Sequence, residues 1–241
     1  MTNIDVSLEE LLESGAHFGH MTRRWNPKMS DYLYGEKEGI HIFDLVKTKQ
    51  ALLSALNHIK DAVSEGKVVL VVGTKKQIKD KIKQICEETA TPYVNSRWLG
   101  GTLTNFEQVK KSIRYLKSLQ EGLESGEYKN RTKKERLEIE KTIAKMLAKF
   151  GGILNLEKHP DLMVVIDINK EKGAVIEGNR LGIPVVGIVD SNSDPDLVNY
   201  PIPMNDDAKA ALELVVDLIG QAIKAGKTTT KTVKKTKKAK K

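Results

Sequence analysis

Val68-Val-Leu-Val-Val-Gly-Thr-Lys75 sets five consecutive strand-forming residues ahead of a glycine, a hydroxyl and a cation. A run that is apolar at every position, not every second one, reads as a strand buried on both faces, the setting of a parallel sheet between helical layers. Leu162-Met-Val-Val-Ile166 and Pro184-Val-Val-Gly-Ile-Val189 repeat the pattern. Helical periodicity fills the gaps between such runs. Asp44 caps a segment with Leu45, Leu52, Leu56, Ile59 and Val63 on one side, ending at Gly66. Lys75 to about Glu88, Glu171 to Leu181 and Asp206 to about Ile223 read as further helices. Ser7 and Glu10 have capping-box spacing for a short helix, Leu8 to about Glu13, that Gly15 ends. Ile40 to Phe43 and Tyr93-Val94 read as short strands. Buried strands alternating with helices give an α/β domain with right-handed crossovers.

Residues 105–150 break the alternation. Phe106, Val109, Ile113, Leu116 and Leu119 form one narrow apolar stripe, and Leu137, Ile143, Met146, Leu147 and Phe150 form another. A polar turn from Glu121 to Arg131 separates them, and Thr132 with Glu135 repeats the capping-box spacing. The expected form is a coiled-coil-like antiparallel helical hairpin projecting from the sheet domain, with Gly151-Gly152 marking the return. The domain plan is therefore residues 1–104 as the N-terminal segment and first part of the sheet domain, 105–150 as the inserted hairpin, 151–226 as the second part, and 227–241 as a lysine-rich tail without regular structure.

Among 241 residues, 39% are hydrophobic, enough for a substantial core, and the formal net charge is +8. Eight lysines and no acids lie between Lys227 and Lys241, so the tail carries the whole net charge. Residues 1–150 hold 26 cations and 20 acids, whereas 151–226 hold 6 and 12. A chain polarised this way can lay its first part on a polyanion. No apolar run approaches the roughly 20 residues of a membrane span, and the first residues lack the layout of a secretory signal. A cytoplasmic protein is expected, and the lone Cys86 fits a reducing compartment.

Two loops carry unusual chemistry. His17-Phe-Gly-His-Met-Thr-Arg-Arg-Trp-Asn-Pro-Lys-Met29 fits neither helix nor strand and gathers two histidines, three cations and a tryptophan. Asn95-Ser-Arg-Trp-Leu-Gly-Gly-Thr-Leu-Thr-Asn105 repeats cation, ring and tight glycine turn. The cations suit phosphate, while Trp25 and Trp98 more readily pack into the protein than stack on a base. The candidate RNA contacts are Arg23, Arg24, Lys28, Lys75, Lys76, Arg97, Lys110, Lys111, Arg114, Lys133 and Lys134. His17 and His20, three apart, could present imidazoles to zinc with His41 or an aspartate of the acidic half such as Asp190 as a further ligand, although no metal is required. The Asp190-Ser-Asn-Ser-Asp-Pro run reads foremost as an Asx-turn.

Strands ending in Gly-Thr-Lys-Lys or Asp-Ser-Asn-Ser-Asp allow a competing class, a nucleotide-dependent enzyme using a Rossmann-like domain. The spacing opposes it. Neither a P-loop nor a Gly-x-Gly-x-x-Gly follows a strand, Cys86 falls within a helix, and no serine sits in a nucleophile elbow. No catalytic residue and no small-molecule substrate are assigned.

His-Phe-Gly-His…Trp-Asn-Pro-Lys-Met, Val-Gly-Thr-Lys, Arg-Trp-Leu-Gly-Gly-Thr-Leu-Thr-Asn, Leu-Gly-Ile-Pro-Val and Asp-Ser-Asn-Ser-Asp-Pro-Asp occur in one order over about residues 7–225. In that order and spacing the chain resembles the S-two family of bacterial-type small-subunit ribosomal proteins. The resemblance implies a flavodoxin-like sheet domain with a protruding helical hairpin, bound to small-subunit rRNA near the head and platform. It also implies a part in assembly and translation without catalysis, in a cytoplasmic or organellar ribosome. Neighbouring ribosomal proteins are implied partners, among them the large RNA-binding protein S-one near the mRNA exit. The lysine tail departs from the family pattern; its charge suggests auxiliary rRNA contact.

Overall fold

The computed structural model describes the backbone of residues 4–238 and the side chains of 4–229. Its centre is a five-stranded parallel sheet of β4 (Val69–Val72), β5 (Tyr93–Val94), β6 (Leu162–Val165), β7 (Val185–Val189) and β8 (Tyr200–Pro203), ordered β5-β4-β6-β7-β8. Numbered within the sheet this is 2-1-3-4-5, the strand order of flavodoxin-like folds. Alternate residues serve opposite faces. Val69, Val71, Leu162, Val164, Val186 and Ile188 pack beneath α2 (Leu45–Ser64), α3 (Lys79–Glu88) and α7 (Lys209–Lys238). Leu70, Val72, Met163, Val165, Val185 and Val189 join Met29, Phe43, Phe106 and residues of α6 (Lys172–Arg180) on the other face.

Three further strands form a small antiparallel sheet: β1 (Phe18–Met21), β2 (Leu33–Lys37) and β3 (Ile40–Phe43), ordered β1-β3-β2. The tight β2–β3 connection places Glu38 at φ 53° and Gly39 at φ 76°, which the glycine adopts freely. α1 (Leu8–Glu13) begins with the expected capping box between Ser7 and Glu10. α4 (Phe106–Ser125) and α5 (Lys133–Phe150) share a small core of Leu116, Leu119 and Ile143, separate from the two sheet cores.

The structure corrects several sequence expectations. Residues 17–29, expected to be irregular, contain β1 and the 3-10 turn Thr22–Arg24 and run into a second such turn, Pro27–Tyr32. The helix expected from Lys75 starts at Lys79, because Thr74 and Lys75 are held by Glu171 and Asp206 and residues 76–78 form a turn. β8 contains Pro201 and Pro203, a composition that argues against a central strand. It forms at the sheet edge, opposite Gly187 and Val189 of β7, where one side needs no amide donors. α7 runs to Lys238, past the expected end at Ile223. The extension runs through Gly226 and several threonines of low helix propensity, so it continues from the packed turns before it and not from local preference. Residues 227–238 of the lysine-rich tail, expected to be disordered when free, have helical backbone here, and residues 239–241 lie outside those described.

Candidate nucleic-acid interface

The carboxyl ends of β4, β6, β7 and β8 converge where doubly wound folds bind ligands, beside the switch point between β4 and β6. Here that space holds the protein's own ions. Lys75, 6% exposed, donates to Asp206 Oδ1 at 2.7 Å and Asp207 Oδ1 at 2.8 Å, pairs with Asp167 Oδ2 at 3.0 Å, and also donates to the Asp206 carbonyl. Thr74 donates through its amide and hydroxyl to the buried Glu171. Asp190, fully buried, accepts from the Asp206 amide at 3.1 Å and meets His20 Nδ1 at 3.0 Å.

Acids outnumber cations in this cluster. Burial, with the charges of Asp190 and Asp167, pushes the Asp206 carboxyl up to about 7. Burial opposes the Lys75 charge, but the Asp206 and Asp207 carboxylates outweigh it and hold the ammonium above the ordinary lysine range. The Asp190 hydrogen bond raises His20. An anionic nucleotide phosphate would have to displace these carboxylates, so the crevice is electrostatically hostile to it.

The two long-range motifs turn out to interlock. Ser191 Oγ accepts from the His20 amide at 2.7 Å, and the Ser191 carbonyl accepts from Asn26 N at 2.7 Å. Gly19 makes the approach possible: a Cβ there would lie 2.8 Å from Ser191 Oγ and 3.1 Å from the His41 carbonyl. Lys28 pairs with Asp194 at 2.9 Å and Asp196 at 2.7 Å. Its charge is spent within the chain.

The 95–105 loop is held by one residue that sequence reasoning missed. Glu177 of α6, 8% exposed, accepts five hydrogen bonds: from Trp98 Nε1, Gly101 N and Leu103 N at 2.9 Å each, and from Thr104 N and Oγ1 at 3.0 Å. Burial alone would raise this carboxyl, yet donors from Thr104, Trp98, Leu103 and Gly101 hold it below the usual glutamate value. Trp98 is therefore an internal anchor. Arg97 remains exposed beside it. Nothing local in the sequence marks Glu177; it reads as one polar position on a helix.

The structure sorts the candidate cations. Lys75 is buried in the acidic cluster and Lys28 is paired, so neither offers a free charge. Lys110 is part-buried, pairs with Glu107 at 3.0 Å and sits 4.9 Å over the Phe106 ring. Arg23, Arg24, Lys76, Arg97, Lys111, Arg114, Lys133 and Lys134 are exposed, with no ion-pair partner among the described residues. The metal candidates also separate. Ligand atoms of His20, Asp190 and Asp206 lie within 4.8 Å of one another, whereas His17 stands outside that group. Asp206, which the sequence did not single out, joins this group. Among the described residues no helix is long and apolar enough to cross a membrane.

Residues 11–226 match the family model described as "Ribosomal protein S2". The chain is 49% identical to "Small ribosomal subunit protein uS2" of Helicobacter hepaticus, over 94% of the chain and 86% of the relative. It is 50% identical to the protein of the same name from Mesorhizobium japonicum over 90% of the chain and 84% of the relative. That of Campylobacter jejuni is also 50% identical, over 92% and 84%.

Proposed function

The chain belongs to the ribosomal protein S2 family, and from that premise we propose that its unpaired cations bind small-subunit rRNA while its sheet domain acts as a rigid frame without catalysis. As a family member it is a structural constituent of the small ribosomal subunit, associated with rRNA and other ribosomal proteins. The observation that carries the non-catalytic part is the Lys75 cluster, which fills with carboxylates the crevice where a nucleotide would otherwise sit.

Arg23, Arg24, Lys76 and Arg97, with Lys111, Arg114, Lys133 and Lys134 on the two inserted helices, are the proposed phosphate contacts. Their support is exposure and lack of an internal partner. The charge-removing substitutions Arg23→Gln, Arg24→Gln and Arg97→Gln together should flatten the log-log salt dependence of rRNA binding by about 2 to 3, since each lost phosphate contact removes about 0.7 to 0.9. Lys28→Gln should leave that slope unchanged, because its ammonium already serves Asp194 and Asp196. Filter binding between 50 and 300 mM salt, about the range over which counterion release is steep, reads both. Equal slopes for the triple variant and the parent would remove these arginines from the interface.

The proposed domain plan sets α4 and α5 as a hairpin inserted between the two parts of the sheet domain and projecting from it. Support comes from their separate core and from residues 133–138, which are exposed at every position. The proposed ribosome is cytoplasmic, supported by the bacterial sources of the relatives. Docking of protein S-one belongs to the proposal on family grounds alone.

Zinc belongs to it at one place. His20, Asp190 and Asp206 offer three donor atoms of suitable chemistry, and a metal there would cross-link β1 to the loops after β7 and β8. Lys75 already holds one Asp206 oxygen, so affinity should be modest. Calorimetric titration of chelator-treated protein with zinc should show one site that His20→Ala abolishes and His17→Ala leaves intact. Loss in both variants would return His17 to the ligand set.

A further inference from the structure

Most lysines on the sheet body have an acidic partner. Lys49 meets Asp5, Lys67 meets Glu65, Lys81 meets Asp217 and Lys224 meets Glu88, all within 3.1 Å. α5 is different. Its inward side buries Ile143 and Phe150, while Lys134, Lys141, Lys145 and Lys149 occupy the opposite side at spacings of seven, four and four residues. All four are exposed, and none has an ion-pair or hydrogen-bond partner among the described residues.

This placement is locally unfavourable in two independent ways. Lysines four apart stand about 5–6 Å from one another at Cβ, and like charges at that spacing destabilise a helix. Lys133 and Lys134 occupy the first turn, at the positive end of the helix dipole, where acids are preferred. Glu138 lies within the stripe and leaves it net positive. Glu135 in the first turn, Glu138 within the stripe and Lys149 in the last turn offset only part of this, and the four lysines keep no ion-pair partner among the described residues, which marks a surface whose counter-charge comes from outside.

We propose that the outward face of α5, carrying Lys134, Lys141, Lys145 and Lys149, is a phosphate-backbone contact that follows an RNA strand for about 22 Å, the rise of fifteen helical residues. A row of point charges without interleaved rings or amides on this face positions a backbone and does not read bases. The assignment rests on the rRNA-binding reading above and extends it to three lysines outside the earlier candidate set.

The test compares full-length protein with its K134Q/K141Q/K145Q/K149Q and all-arginine counterparts, binding protein-free small-subunit rRNA across a salt series. The glutamine form should have a slope shallower by about 3, four contacts at 0.7 to 0.9 each, with circular dichroism unchanged. The arginine form should keep the parental slope. Parental binding with an unchanged slope in the glutamine form overturns the stripe but leaves the rRNA reading standing. A defect seen only on protein-containing particles assigns the face to an acidic protein partner and likewise overturns it. Failure of the parent to bind rRNA at all overturns the reading beneath it as well.

Discussion

Glu177→Ala is expected to cost the fold about 3–4 kcal/mol, the consequence of leaving several buried donors without an acceptor at about 1–3 kcal/mol each, with partial relief by entering water. The donors are the Trp98 indole, three main-chain amides and the Thr104 hydroxyl, all satisfied by one carboxylate. Urea denaturation should show the loss, and Trp98 emission should shift to the red before global unfolding as the loop loosens. Glu177→Gln keeps one acceptor oxygen but turns an amide group toward donors, so about half the loss is expected. The same geometry fixes an acid dependence. A carboxyl depressed in the folded state contributes fully above its unfolded value near about 4.3, and the contribution disappears as pH falls through the folded value. The parent should therefore lose stability more steeply below about pH 4 than Glu177→Gln does. An alanine variant within about 0.5 kcal/mol of the parent, the range of an ordinary surface substitution, would show that the loop is held elsewhere.

Lys75→Met should be comparably damaging, at about 3–5 kcal/mol, because it strands several buried carboxylates with no cation. Buried Asp167 and Asp206 and the exposed Asp207 lie within 3.0 Å of the ammonium, and buried Asp190 adjoins them through the Asp206 amide. Adding Asp206→Asn should restore part of the loss, a coupling that a thermodynamic cycle on urea midpoints measures. Lys75→Arg should not rescue fully, since a planar fork cannot occupy the position of a compact ammonium among three differently directed acceptors. Strict additivity of Lys75→Met and Asp206→Asn would contradict the cluster.

How far the sequence foretold this molecule depended on the range of the interactions involved. β4, β6 and β7 were legible because a strand buried on both faces is apolar at every position. β2 was not, since four of its five residues are exposed and no alternation shows. β8 was hidden by two prolines that its edge position tolerates. Lys75 follows a strand, a glycine and a threonine, the setting of an anion-binding lysine, and only the fold brings up Asp206 from 131 residues away to claim it. Glu177 is silent for the same reason, its donors lying 73 to 79 residues upstream. The α5 stripe, by contrast, was readable: lysines at 141, 145 and 149 are three like charges at helical spacing. The motifs that mark the family carry the chemistry of contacts to a partner, yet part of their work in the structure is internal. Gly19, Asn26 and Lys28 tie the first motif to Ser191, Asp194 and Asp196 of the last.

The central claim, a frame whose chemistry is to hold rRNA and not to turn over a ligand, is tested most directly by adding the purified chain to small subunits lacking this protein and resolving the mixture on a sucrose gradient. Stoichiometric comigration with the small subunit, lost progressively as salt rises, is the predicted result. Protein that stays at the top of the gradient at low salt would contradict it.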